Sequence, residues 1–290
     1  MVMLSRFDKS GLFFAFSMIV AGCGNDPVPV RLDHAGVQPT SDVSDLAAVL
    51  SEAVTEDGRV KPADVQRLSD RLDSQLRRFA LAGPTATPNL YPTDSSRWAY
   101  WYNARAAWSI KLAALSGFHV SPRPQALRAR PFQLDGRTMW LEQIDQILFA
   151  ESKRTGDFRL ASCAPGVCAS YAPLPSKPYS AADFEGRLDE ALDSLVLDER
   201  RFVLSVEDRQ VRVPQMLWAC NELIIQQYQQ KYGPRSVSLI TAIRPHLGRA
   251  ARRRLDEALG YAVVAPERQC QVLIPKRRIY YPGKVGRIEP

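Results

Sequence analysis

Histidine is scarce in this chain: among 290 residues only His34, His119 and His246 carry an imidazole. A serine or cysteine nucleophile near neutral pH usually works beside a neutral imidazole. His34 lies in a polar N-terminal stretch, His119 closes a helical segment and His246 follows Pro245 near an arginine-rich helix. Cys163 with His119 or His246 is an arithmetically possible dyad, but capping or surface positions are the ordinary fate of such rings. Cys163 and Cys168 have the spacing of zinc ligands, but no second Cys/His pair follows nearby, so no metal and no cofactor is expected. No glycine-rich loop precedes a helix, which argues against nucleotide chemistry. Glu142, Asp145 and Asp157 are equally placed as acids, so no carboxylate pair for glycoside cleavage stands out. An internal repeat is also missing. The longest N-terminal apolar run, residues 11–21, is roughly half of the ~20 residues that span a bilayer, which argues against an uncleaved anchor. Charge of one sign is modest as well. Lysine and arginine number 38 against 31 acids, a net +7, with the bases interspersed among acids and no stacking motif, so no nucleic-acid partner is expected.

What is present begins with that short apolar run. Arg6 and Lys9 precede it and Val20-Ala21-Gly22-Cys23 ends it. This is the pattern of a bacterial lipoprotein signal peptide: small residues fit the peptidase cleft, and the Cys23 thiol takes the lipid. Residues 1–22 are thus expected to be removed, residues 23–42 to be a lipid-anchored tether, residues 43–275 one domain and residues 276–290 a basic tail. The expected setting is the bacterial cell envelope, with Cys23 acylated, membrane lipid as its partner and the domain in the periplasm. Gly24 inclines the anchor to the outer rather than the inner membrane. The tail run Lys276-Arg277-Arg278 reads as a solvated segment or as a strip for lipid or polymer. In an oxidising compartment Cys163, Cys168, Cys220 and Cys270 are disulfide candidates. The turn-forming Ala164-Pro165-Gly166-Val167 favours Cys163 with Cys168, leaving Cys220 for Cys270.

Hydrophobic content of 46% and charged content of 24% belong to a globular domain. Apolar spacing predicts helices over about residues 43–53, 62–80, 97–116, 140–150, 184–195, 214–228, 237–247 and 249–259. The helix over 97–116 is expected to be capped by Ser95 or Ser96 and carries Trp98, Trp101, Tyr102, Trp108 and Leu112 on one stripe. Such a stripe is core, or a platform on which sugar rings stack. Short strands are predicted at 132–134, 158–161, 261–264 and 271–274, and a hairpin over 201–213. Helices mixed with short strands, without strict alternation, define an α+β fold.

The order of several motifs resembles the domain of unknown function 547 family over about residues 48–275. Asp57-Gly58-Arg59-Val60 looks like its opening D-G-R-V turn, and W-A-Y-W-Y-N-A-R-A-A from Trp98 is similar to its F-W-I-N-x-Y-N-A helix. The segment from Trp140 to Leu148 resembles its S-L-x-x-I-E-H-x-I-L helix, residues 157–174 its D-P-R-I-H-F-A-L-x-C-x-S-x-x-C-P-P-L stretch, and residues 211–218 its V-x-L-S-x-I-x-x-W segment. The resemblance implies a papain- or transglutaminase-like domain, with a central aromatic-rich helix on a small, mostly antiparallel sheet. It makes Asn103, Asp145, Arg159 and Cys163 the candidate catalytic residues. Arg105 and Ala106 stand where the family has Tyr and a second Asn, Gln146 replaces a His, and no imidazole occupies a matched position. Two functions follow as expectations. The first is a catalytically degenerate, lipid-anchored module that binds or scaffolds an envelope protein or polymer. The second is a periplasmic cysteine-dependent hydrolase or acyl or peptidyl transferase.

Overall fold

The computed structural model describes residues 29–118, 130–234, 236–266 and 272. The expected leader, Cys23, His119, Cys270 and the basic tail lie outside the described residues.

Helix α1, Ser44–Ala53, buries Leu46, Val49, Leu50 and Ala53, the spacing of a helix with one face on a core. The helix expected over 62–80 is two, α2 at Pro62–Arg67 and α3 at Ser69–Leu81, broken at Leu68. Pro62 occupies a first-turn position, where its missing N–H is no loss. Between α1 and α2 the chain reverses at Gly58, which has φ +71°. A Cβ there would fall 2.5 Å from the Pro173 Cβ and 2.9 Å from the Leu174 nitrogen, so glycine alone lets this turn lie on the 173–174 segment.

Helix α4, Asp94–Leu115, is the centre of the molecule. Its cap is Thr93, whose hydroxyl accepts the Ser96 N–H while the Ser96 hydroxyl accepts the Thr93 N–H. The helix therefore starts one turn earlier than a Ser95 or Ser96 cap would put it. Every residue over 98–110 is buried, so the expected stripe is too narrow a description. Helices α2, α3, α5 (Leu141–Thr155) and α7 (Phe184–Leu197) surround it.

Strands β1, Phe132–Leu134, and β2, Arg137–Met139, form an antiparallel hairpin that α4 meets through Trp108, stacked on Phe132 at 4.0 Å. Val30 bridges to Phe132 in parallel and, with Leu32, packs on the core, so the expected tether is docked from Val30 onward. The expected strand over 158–161 is instead a helical turn, α6, at Arg159–Ser162. The Asp157 carboxylate accepts the Arg159 N–H at 3.0 Å, a local cap that starts a helix rather than a strand.

In the second half, β3 (Val203–Ser205) and β4 (Gln210–Arg212) form the expected hairpin, and β5 (Ala262–Val264) joins β4 in parallel. The helix expected over 214–228 is interrupted at Cys220 into α8 (Gln215–Ala219) and α9 (Asn221–Tyr232). Helices α10 (Leu239–Ile243) and α11 (Arg249–Asp256) follow. One continuous apolar cluster runs from Leu46 to Val272, so the described residues form a single α+β domain. Its two sheets are small and separate, and α4 packs mainly on helices rather than on a sheet, unlike the expected arrangement. Among the described residues no helix is long and apolar enough to cross a membrane.

Candidate functional site

Asn103 projects from α4 at 3% exposure and treats residue 179 as a strand would. Its Nδ2 donates to the Tyr179 carbonyl and its Oδ1 accepts the Tyr179 N–H, both at 2.8 Å. Asn103, a candidate catalytic residue from the sequence, thus forms an amide bridge that pins residue 179 to the central helix, and it also lines a small cavity of about 260 Å³ beside Tyr91 and Tyr179. Two residues on, Arg105 is 1% exposed. Its Nε and Nη2 meet the Asp145 carboxylate at 2.6 and 3.3 Å, its Nη1 donates to the Pro165 carbonyl, and its guanidinium lies 3.8 Å from the Tyr171 ring centroid. Tyr171 closes the group by donating its hydroxyl to Asp145 at 3.2 Å. Asp145 is therefore the counter-ion of a buried cation. Gly166 permits this packing, because a Cβ there would lie 2.8 Å from Arg105 Nη1.

Arg159, at the start of α6, bonds Asp157 at 2.7 Å, Glu185 at 3.0 Å and also Asp189, tying α6 to α7. His246 joins this neighbourhood by setting its ring edge-on to Phe158 at 4.9 Å. Burial pushes the His246 pKa down and Arg159 adds to the effect. Cys163 is fully buried, and its hydrogen-bond partner is the Ser162 hydroxyl at 3.8 Å. Burial pushes its thiol up to about 12, and no imidazole among the described residues bonds it. Asn103, Asp145, Arg159 and Cys163 thus gather around α4 and α6 as buried or ion-paired groups and do not face one open cleft.

The cysteines also differ from expectation. Cys163 and Cys220 are free and buried. Cys168 is disulfide-bonded and so not with Cys163. The Pro-Gly turn between Cys163 and Cys168 brings residue 166 to residue 172 through backbone hydrogen bonds, which spends the turn on Arg105 rather than on a disulfide. No group of His, Cys, Asp or Glu that could hold a metal ion occurs among the described residues.

An open cleft of about 640 Å³ lies instead between the Asp57 turn, residues 173–179 and α7. Pro173, Leu174, Pro175, Ala191 and Leu197 make its apolar surface, and Asp57, Arg187, Glu190 and Arg200 its charged rim. The Arg187 guanidinium rests 4.3 Å from the Tyr179 ring centroid and donates to the Lys177 carbonyl at 2.8 Å, so it holds the floor in place. Arg200 spans Asp198 at 2.8 Å and Asp57 at 3.5 Å, joining two walls. Glu190 faces the cleft from α7. Extended chains carrying both charges and apolar groups suit such a lining. The Asp57 turn and the Pro173-Leu174 pair were visible in the sequence as motif residues. Tyr179, Arg187, Glu190 and Arg200 were not, since none belongs to a motif; the signal available was the run of prolines opposite a glycine turn.

Compared with known proteins, the chain matches no family model, no curated protein and no solved structure.

Proposed function

We propose that this chain is a lipid-anchored binding or scaffold module of the bacterial cell envelope. In this reading it is a catalytically degenerate relative of the domain of unknown function 547 family, with Cys23 acylated and the domain in the periplasm, on the outer-membrane side. Val20-Ala21-Gly22-Cys23 supports the anchor. The order of motifs supports the relationship, and a central helix, α4, is compatible with the papain- or transglutaminase-like architecture it implies. The observation that carries the choice of binding over catalysis is the separation of reactivity from access. The thiol of the motif, Cys163, is fully buried and pushed up to about 12, whereas the large cleft is lined by charges of both signs and prolines, with no histidine among its described residues. The cleft then holds a segment of an envelope protein or polymer.

Two measurements in cells test this. A photo-reactive residue at Ser194, on the cleft wall, should give a discrete cross-linked product, while one at the exposed Ser51 of α1 should not. Equal products from both positions, or none from Ser194, would remove the cleft from the proposal. Metabolic labelling with a tagged fatty acid should mark the native chain and be lost in Cys23→Ser; persistent labelling would remove the anchor.

A further inference from the structure

Among the described residues, both arginines that line the large cleft are already engaged. Arg187 is held by the Tyr179 ring and two carbonyls, and Arg200 by Asp198 and Asp57. The carboxylates are not all answered in return. Arg59 reaches Asp57 at 2.6 Å and Arg254 reaches Glu199 at 3.2 Å, but Glu56 and Glu190 make no ion pair or hydrogen bond among the described residues. Both are exposed, Glu56 on the turn before Gly58 and Glu190 on α7, so they stand on two different walls. Beside them Leu197, 43% exposed, continues the apolar strip of Pro173 and Pro175. An occupant that satisfies this lining brings cations next to apolar side chains.

The chain itself carries such a segment. Lys276-Arg277-Arg278 runs directly into Ile279-Tyr280-Tyr281-Pro282, and beyond it Lys284 and Arg287 outnumber the acid Glu289. Its point of departure is fixed close to the cleft. Val272 is 1% exposed and bridges to Cys168. From Cys168 to Pro173 on the apolar strip is five residues, at most about 18 Å of chain. Residues 272–282, extended, span up to about 35 Å, so the basic and aromatic residues reach the cleft without strain.

We propose that residues 276–282 of this chain dock in its own large cleft. Lys276, Arg277 and Arg278 answer Glu56 and Glu190, while Ile279 and the two tyrosines cover Leu197 and the prolines. The cleft is then self-filled until another segment displaces the tail. Whatever displaces it shares the same chemistry: an extended cationic stretch beside apolar residues. That last step rests on the reading of the cleft as a partner site, whereas the docking of the tail does not.

The test uses the purified full chain with a photo-reactive residue at Ser194, irradiated and mapped by mass spectrometry. Ser194 should cross-link to a residue within 276–282 of the same chain, with a yield independent of protein concentration. Glu56→Lys combined with Glu190→Lys should lower that yield at least about tenfold, because attraction becomes repulsion on both walls. Both glutamates are exposed, so this double variant should keep its far-ultraviolet circular dichroism. Adding Lys276→Glu, Arg277→Glu and Arg278→Glu to it should restore the yield by exchanging the charges. Four outcomes would each overturn the docking: no link from Ser194 to residues 276–282, a link formed only between two chains, a yield unmoved by the reversed glutamates, or no recovery on exchange. No partner is present in this measurement, so its failure leaves the partner reading of the cleft standing, and failure of the cellular cross-link leaves the docking of the tail standing.

Discussion

A thiol reacts as its thiolate, and burial takes that form away from both Cys163 and Cys220, whose pKa values it pushes up to about 12. Iodoacetamide applied to the native protein at neutral pH is therefore expected to leave both unmodified. After denaturation without reductant both should alkylate, while Cys168 should alkylate only once reduced. Peptide mapping by mass spectrometry reads all three, and native labelling of Cys163 would restore the thiol-enzyme alternative. At this scale the sequence singled out the residues with chemistry but not their surroundings. Cys163 looked reactive because its motif did, and its pairing with Cys168 rested on a Pro-Gly turn, a local argument. What decides its state is depth beneath α4, set by segments far away in the chain. Arg105 was visible only as a departure from a motif, because its partner Asp145 lies 40 residues on. The same holds for Asn103, whose partner Tyr179 lies 76 residues on.

Elements were more legible than residues. Apolar spacing located α1, α4, α7 and the hairpin of β3 and β4, because these sequences repeat the period of their own backbone. Breaks at Leu68 and Cys220 were missed, since nothing in their apolar pattern changes there. The strand expected over 158–161 gives way to a helical turn, where the Asp157 carboxylate accepts the Arg159 N–H and only Phe158 among the four residues favours a strand. Helix α4 also allows a quantitative comparison. Trp101 is 5% exposed and packs edge-on against Tyr100 at 5.0 Å, so Trp101→Ala should cost about 3–5 kcal/mol through the cavity it leaves. Asn103→Ala removes less volume but strands the N–H and carbonyl of Tyr179, and should cost about 2–3 kcal/mol. Urea denaturation of the two variants measures both. A Trp101→Ala protein as stable as the parent would put that face in solvent and favour the sugar-stacking surface; an Asn103→Ala protein as stable would mean that the amide bridge does not hold residue 179.

For the whole molecule, pH is the simplest probe. Hydrogen bonds from Arg154 hold Asp94 and Glu151 below their ordinary 3.8 and 4.5, and in Asp198 the bonds from Arg200 outweigh the upward push of burial. Depressed carboxylates stabilise the fold above their unfolded values and lose that contribution as pH falls through the folded ones, so melting temperature should drop steeply below about pH 4. His246 acts in the same direction at higher pH. Its folded value lies below the ordinary 6.5, chiefly through burial, so the unfolded chain takes up that proton first. Stability should begin a shallow decline as pH falls through about 6.5, and His246→Gln should remove this decline while leaving the acid limb. Calorimetric melts between pH 3 and 8 separate the two, and a shallow limb that survives in His246→Gln would assign it elsewhere.

Helix α4 has a consequence before the fold exists. Its 22 residues, at a rise of 1.5 Å each, would extend roughly 33 Å, enough to cross the hydrocarbon of a bilayer. A chain exported in the way proposed above threads this segment through a membrane unfolded, when none of its neighbours is there to claim it. Arg105 stands near its midpoint, with Arg97 and Lys111 on either side. A guanidinium at bilayer depth is costly enough to turn the segment away from lipid and onward through the translocation channel. If the proposed export holds, the cation that later anchors Asp145 and Tyr171 would also keep this 22-residue segment from lodging on the way out, and Arg105→Leu would test export as much as folding.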